Sequence, residues 1–101
     1  MKEKIYEGAK DGRSVGGSAA LWYIMSEKLH AERIYFRSST YEDRSEDIWF
    51  LDGVVIHYNC SNKGDENGRK IVSRITLFGK SKKAINRVKR SLLENKVFNY
   101  T

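Results

Sequence analysis

Asp47-Ile48-Trp49-Phe50-Leu51-Asp52-Gly53-Val54-Val55-Ile56-His57-Tyr58 sets two apolar runs on either side of an Asp-Gly pair. Both central residues of a type I′ turn need positive φ, which Asp and Gly tolerate, and the twist of that turn matches the strands it joins. The spacing predicts a two-residue hairpin with Leu51 opposite Val54, Phe50 opposite Val55, Trp49 opposite Ile56 and Ile48 opposite His57. Opposed residues share a face of the sheet. One face therefore carries Trp49, Leu51, Val54, Ile56 and Tyr58, and the other carries Ile48, Phe50, Val55 and His57. Neither face is polar, so each needs cover or a partner.

Outward from the hairpin the same period of two continues. Arg33-Ile34-Tyr35-Phe36-Arg37-Ser38-Ser39-Thr40 and Lys70-Ile71-Val72-Ser73-Arg74-Ile75-Thr76-Leu77-Phe78 alternate and are rich in β-branched and aromatic residues. With the hairpin they make four antiparallel strands in a meander. Beyond them the period becomes helical. Leu21, Trp22, Met25 and Leu29 recur on one side of a stretch running from Ala19 to His30, with Ser18 as N-cap. From Ser81 onward, Ala84, Ile85, Val88, Leu92 and Leu93 form one stripe, and Lys82, Lys83, Asn86, Arg87, Lys89 and Arg90 form the rest. The expected fold is α+β in a single domain, residues 1–101: a helix, a four-stranded antiparallel sheet and a C-terminal helix, with both helices on one face. That face takes the Trp49 set together with Ile34, Phe36, Ile71, Ile75 and Leu77. The other face, left open, takes Ile48, Phe50, Val55, His57, Tyr35, Arg37, Val72, Arg74, Thr76 and Phe78, with Tyr35, Arg37 and Arg74 side by side.

Composition narrows the partners. The 101 residues hold 19 Lys+Arg against 13 Asp+Glu, a formal charge of +6, which favours approach to nucleic acid or to an acidic protein surface. No run approaches the roughly 18 apolar residues of a spanning helix, so no membrane partner is expected. Met1-Lys2-Glu3-Lys4 is charged and no apolar segment follows it, so no secretory leader is expected. The single cysteine, Cys60, offers neither an internal disulfide nor a thiolate metal cage, and a cytoplasmic setting is the expectation.

Several segments invite chemistry. Lys10-Asp11-Gly12-Arg13-Ser14-Val15-Gly16-Gly17-Ser18 precedes a helix, so Lys10, Arg13, Gly16, Gly17 and Ser18 are candidates for an anion-binding loop. The Lys-Ser/Thr pair that closes a P-loop is missing, and an ordinary turn has the same composition. Glu42, Asp43, Glu46 and Asp47, with Asp52 and His57 nearby in sequence, have the residue types of a Mg²⁺ site, but their spacing fits no nuclease motif. Solvated loop carboxylates are the usual reading. His57 and Cys60 lack sequence partners for acid–base or thiol catalysis, and His30 suits a helix C-terminus without any further role. No catalytic residue, metal or cofactor is therefore assigned, and the chain reads as a binding protein and not an enzyme.

Two kinds of binding fit these residues. The first is a nucleic-acid-binding protein that uses Lys82, Lys83, Arg87, Lys89 and Arg90 on the basic helix and Tyr35, Arg37 and Arg74 on the open sheet face. Mixed rings and guanidinium groups serve single-strand readers in this way. The second is an interaction protein, an inhibitor or accessory factor of the kind phages and mobile elements encode, whose basic patch meets an acidic site on a host enzyme. An open apolar face also suits a homodimer.

Overall fold

The computed structural model describes residues 1–9, 22–39, 44–62, 71–95 and 97. Strands β1 (Lys2–Ala9), β2 (Glu32–Ser39), β3 (Arg44–Leu51), β4 (Val54–Asn62) and β5 (Ile71–Phe78) form one antiparallel sheet in the order β1-β5-β4-β3-β2. A helix, α1 (Lys82–Glu94), follows β5. The α+β class holds, with a correction: among the described residues the sheet has five strands and not four. The strand that sequence patterning missed is the first, which pairs with β5 and is tied at its end by hydrogen bonds in both directions between Met1 and Gly79, each 2.9 Å.

The hairpin forms as its sequence requires. Asp52 and Gly53 take φ of 51° and 79°, and all four expected pairs between β3 and β4 are present. The face bearing Trp49, Val54, Ile56 and Tyr58 is buried, together with Ile75 and Leu77 of β5 and Ile5 of β1. Helix α1 lies over β4 and β5 and presses Ile85, Val88 and Leu92 into this core. Ser81 caps it, its Oγ accepting from the amide of Ala84 at 3.2 Å.

The N-terminal helical expectation is corrected in extent. Its described part consists of Trp22 and Tyr23 followed by a single π-helical turn, Ile24–Lys28, in which the Leu29 amide reaches the Ile24 carbonyl at 2.9 Å. Met25 is buried, but Trp22, expected on the inner side, is half exposed. His30 ends the segment at φ 54°, in the left-handed region. The expected cap Ser18 and the residues before Trp22 lie outside the described residues.

Both edge strands carry a bulge, at Ile5 in β1 and at Ile34 in β2, where one residue is inserted into the ladder. Part of the expected core is not formed at β2. Ile34 is the residue inserted at the bulge, whereas Phe36 keeps the helix-covered side, opposite Asp47, but β2 is an edge strand of the sheet and α1 lies over β4 and β5. Ile34 and Phe36 are accordingly 55% and 47% exposed. The side chain of Ile71, expected in the core, lies outside the described residues.

Candidate functional site

The ladder registers resolve the uncovered face of the sheet into three rows running across the strands. Nearest the Asp52-Gly53 turn, Glu32, Phe50, Val55, Phe78 and Lys2 lie in line from β2 to β1. Next come Tyr35, Ile48, His57, Thr76 and Lys4, and then Arg37, Glu46, Asn59, Arg74 and Glu7. The expected membership of this face is therefore correct, and Ile48, Phe50, Val55 and His57 were placed on the right side. Tyr35 and Arg37 are neighbours on β2 as expected, but Arg74 is not beside them: it lies on β5, and Glu46 and Asn59 stand between Arg37 and Arg74.

Tyr35, Phe50 and Phe78 are 43%, 40% and 39% exposed, which is a high exposure for three rings sharing one face. Single exposed apolar side chains are ordinary, whereas a group of them marks a contact surface. The charges around the rings are unevenly satisfied. Arg74 bonds Glu7 at 2.6 Å and Lys4 bonds the same carboxylate at 3.1 Å. These two cations, with the Arg74 guanidinium leading, hold the Glu7 carboxyl below its usual range. His57 Nε2 lies 3.0 Å from Glu46 Oε1. Lys2, Arg37 and Lys80 form no ion pair among the described residues.

The basic helix is partly neutralised by the sheet it covers. Lys82 and Lys89 reach Glu3 at 3.1 and 3.7 Å, and Arg87 reaches Asp52 at 3.3 Å. Hydrogen bonding from Lys82 is the main force holding the Glu3 carboxyl below its ordinary value. Lys83 and Arg90 have no such carboxylate among the described residues. Exposed pairs of this kind are weak. They exchange readily for other anions, yet they reduce the field of the helix as a whole.

Among the described residues the acidic candidates do not converge. Glu46 and Asp47 are consecutive on β3 and so face opposite sides of the sheet. Asp47 is buried on the helix side and receives both Nε and Nη2 of Arg33 at 2.9 Å. The Arg33 guanidinium is stacked between Phe36 and Trp49, 4.1 and 5.2 Å from their ring centres. Glu42 and Asp43 lie outside the described residues, and so does the whole candidate anion loop of Lys10, Arg13, Gly16, Gly17 and Ser18. Among the described residues no three His, Cys, Asp or Glu side chains are grouped to hold a metal ion. Cys60 is a buried free thiol beside Ser73, whose hydroxyl also lies 3.5 Å from that of Tyr58. Burial pushes the Tyr58 phenol above its usual range.

Sequence reasoning passed over Lys2 and Lys80 as site residues. Lys2 was hidden because its strand was read as a charged terminus. The signal available was the alternation of Lys2 and Lys4 with Glu3 and Ile5. Lys80 lies in the short link between β5 and α1, two residues after Phe78, outside both the strand and the helix periods.

No helix among the described residues is long and apolar enough to cross a membrane. Comparison with known proteins finds no family model, no curated protein and no solved structure that matches the chain.

Proposed function

We propose that the chain is a nucleic-acid-binding protein whose principal contact surface is the uncovered face of the sheet. The observation carrying this reading is the set of three half-exposed rings, Tyr35, Phe50 and Phe78, bordered by Lys2, Arg37 and Lys80, in a chain of charge +6. Rings supply sequence-tolerant stacking and the cations supply phosphate contacts. Lys83 and Arg90 add a positive field from α1, whereas Lys82, Arg87 and Lys89 first have to leave Glu3 and Asp52. No chemistry is assigned to the site, and no metal or cofactor is part of the proposal.

The test is a salt titration of binding to single- and double-stranded DNA and RNA. Counterion release makes log K fall linearly with log salt, by about 0.7 per phosphate contacted on a single strand and about 0.9 on a duplex. The reading expects measurable binding at about 50 mM salt with such a slope. Absence of binding to every polymer, beside capture of one dominant acidic protein, overturns it.

A second reading draws on a different surface. Trp22 and Tyr23, just before the π-helical turn, and Ile34 and Phe36 on β2, the strand that turn packs against, are all half exposed. Such a patch suits the contact of an inhibitor or accessory factor with a larger enzyme. In that case charge reversal on α1 slows association with the protein partner, and nucleic-acid binding is absent throughout.

A further inference from the structure

We infer that the nucleic acid taken by the sheet face is a single strand, laid across β5, β4 and β3 along the row Phe78, Val55, Phe50, with its phosphates on the turn-side rim at Lys2 and Lys80. This rests on the nucleic-acid reading above and narrows it to one substrate class. Phe50 and Phe78 sit in one row with a single strand between them. At a strand spacing of about 4.8 Å they stand roughly 10 Å apart. That is too far for the rings to stack on each other, so each is free to receive a base, and Val55 forms the floor between them.

Charge decides where the backbone runs. In the row farthest from the turn Glu46 lies against His57 and Glu7 against Arg74, which leaves Arg37, at the β2 edge, as its one cation without a carboxylate among the described residues. That row offers phosphates less open positive charge than the β1–β5 end of the turn side, which lies away from Glu32 on β2. At the turn side, Phe78 leads directly into Gly79-Lys80, and a shallow depression beside it is lined by Met1, Lys2, Gly53, Phe78, Gly79 and Lys80. The two lysines of this rim have no carboxylate partner among the described residues. Bases on Phe50 and Phe78 then direct their edges toward His57, Asn59 and Glu46, which offer hydrogen-bonding groups. A duplex cannot use this surface, because its bases are stacked on each other and show only their edges in the grooves.

The experiment is fluorescence anisotropy with labelled oligo-dT and oligo-U of about twelve nucleotides, and a duplex of the same length, on the full chain. Circular dichroism verifies the fold of each variant. The expected result is preference for the single strands, with affinity lost on the order of tenfold in Phe50→Ala and in Phe78→Ala, and regained in Phe50→Tyr. The salt slope stays constant in these variants, because no cation is removed. In Lys2→Glu and Lys80→Glu the slope itself falls. Equal binding of duplex and single strand, with Phe50→Ala and Phe78→Ala at full affinity, overturns this inference and leaves the broader nucleic-acid reading standing. Failure of the unaltered chain to bind any of the three overturns both.

Discussion

At the scale of single residues, two glycines illustrate different constraints. Gly53 has φ of 79° and nothing near the position a Cβ would occupy, so its requirement is conformational. Gly53→Ala is expected to cost about 1–2 kcal/mol from the left-handed penalty alone. Gly79 has the opposite constraint: a Cβ there would meet Ile85 Cγ1 at 3.0 Å and Val54 Cγ2 at 3.3 Å. Gly79→Ala therefore crowds the Ile85 and Val54 side chains, which must yield by a few tenths of an ångström, and thermal unfolding should show a cost of about 1–3 kcal/mol from overpacking. The Asp-Gly requirement could be read from the sequence, because it belongs to two adjacent residues. The Gly79 constraint could not, because it is made by side chains 6 and 25 positions away. Arg33 and Asp47 form a third case. Asp47 is 3% exposed and Arg33 30%, so Arg33→Met leaves a buried carboxylate without its partner. Losing one member of a buried pair costs about 3–5 kcal/mol, and the partial exposure of Arg33 places the expectation near the lower end. A loss below about 1 kcal/mol in urea unfolding would show the pair to be solvated.

At the scale of elements, the sequence was legible where pattern and punctuation agreed. The β3–β4 hairpin and α1 each combine a period with a local stop or start signal, Asp52-Gly53 in one and Ser81 in the other. Ser81→Ala should cost about 1 kcal/mol through loss of the cap to Ala84. Strand β1 was harder to read because its bulge at Ile5 breaks the period of two, while β2 was legible as a strand and only the exposure of Ile34, at its bulge, and of Phe36, at the sheet edge, was not. In β1 the difficulty was compounded by Glu3, a charged residue on the helix-covered side, whose reason for being there is visible only once Lys82 and Lys89 of α1 stand beside it. That contact has a pH signature. A carboxyl held below its ordinary value of 4.5 contributes stability that is present above that value and lost as pH falls through the folded value. Stability should therefore decline between about pH 5 and pH 3, and Glu3→Gln should flatten the decline. Part of it should remain, because Glu7 is depressed in the same direction by Arg74 and Lys4. An unchanged acid limb in Glu3→Gln would assign the decline to other carboxylates.

At the scale of the whole molecule, the arrangement of layers separates a covered face from an open one. Helix α1 and the π-helical turn close one side over Trp49, Ile56 and Leu77, and nothing among the described residues closes the other over Phe50, Val55 and Phe78. Both edge strands are interrupted by bulges, which discourages strand addition at the edges. The membership of that face was legible in the sequence, since it follows from alternation alone. The neighbours on it were not, since they depend on strand order and on β1, which brings Lys2 to the end of the ring-bearing row. The most direct measurement is NMR titration of the chain with oligo-dT, following the rings of Phe50 and Phe78 and the methyl groups of Val55. Stacked bases should shift these resonances through their ring currents and leave the methyl groups of Val54 and Ile56, on the covered side, in place. Shifts confined to Trp22, Tyr23, Ile34 and Phe36, or to side chains of α1, with Phe50 and Phe78 unmoved, would contradict the assignment of the open face as the binding surface.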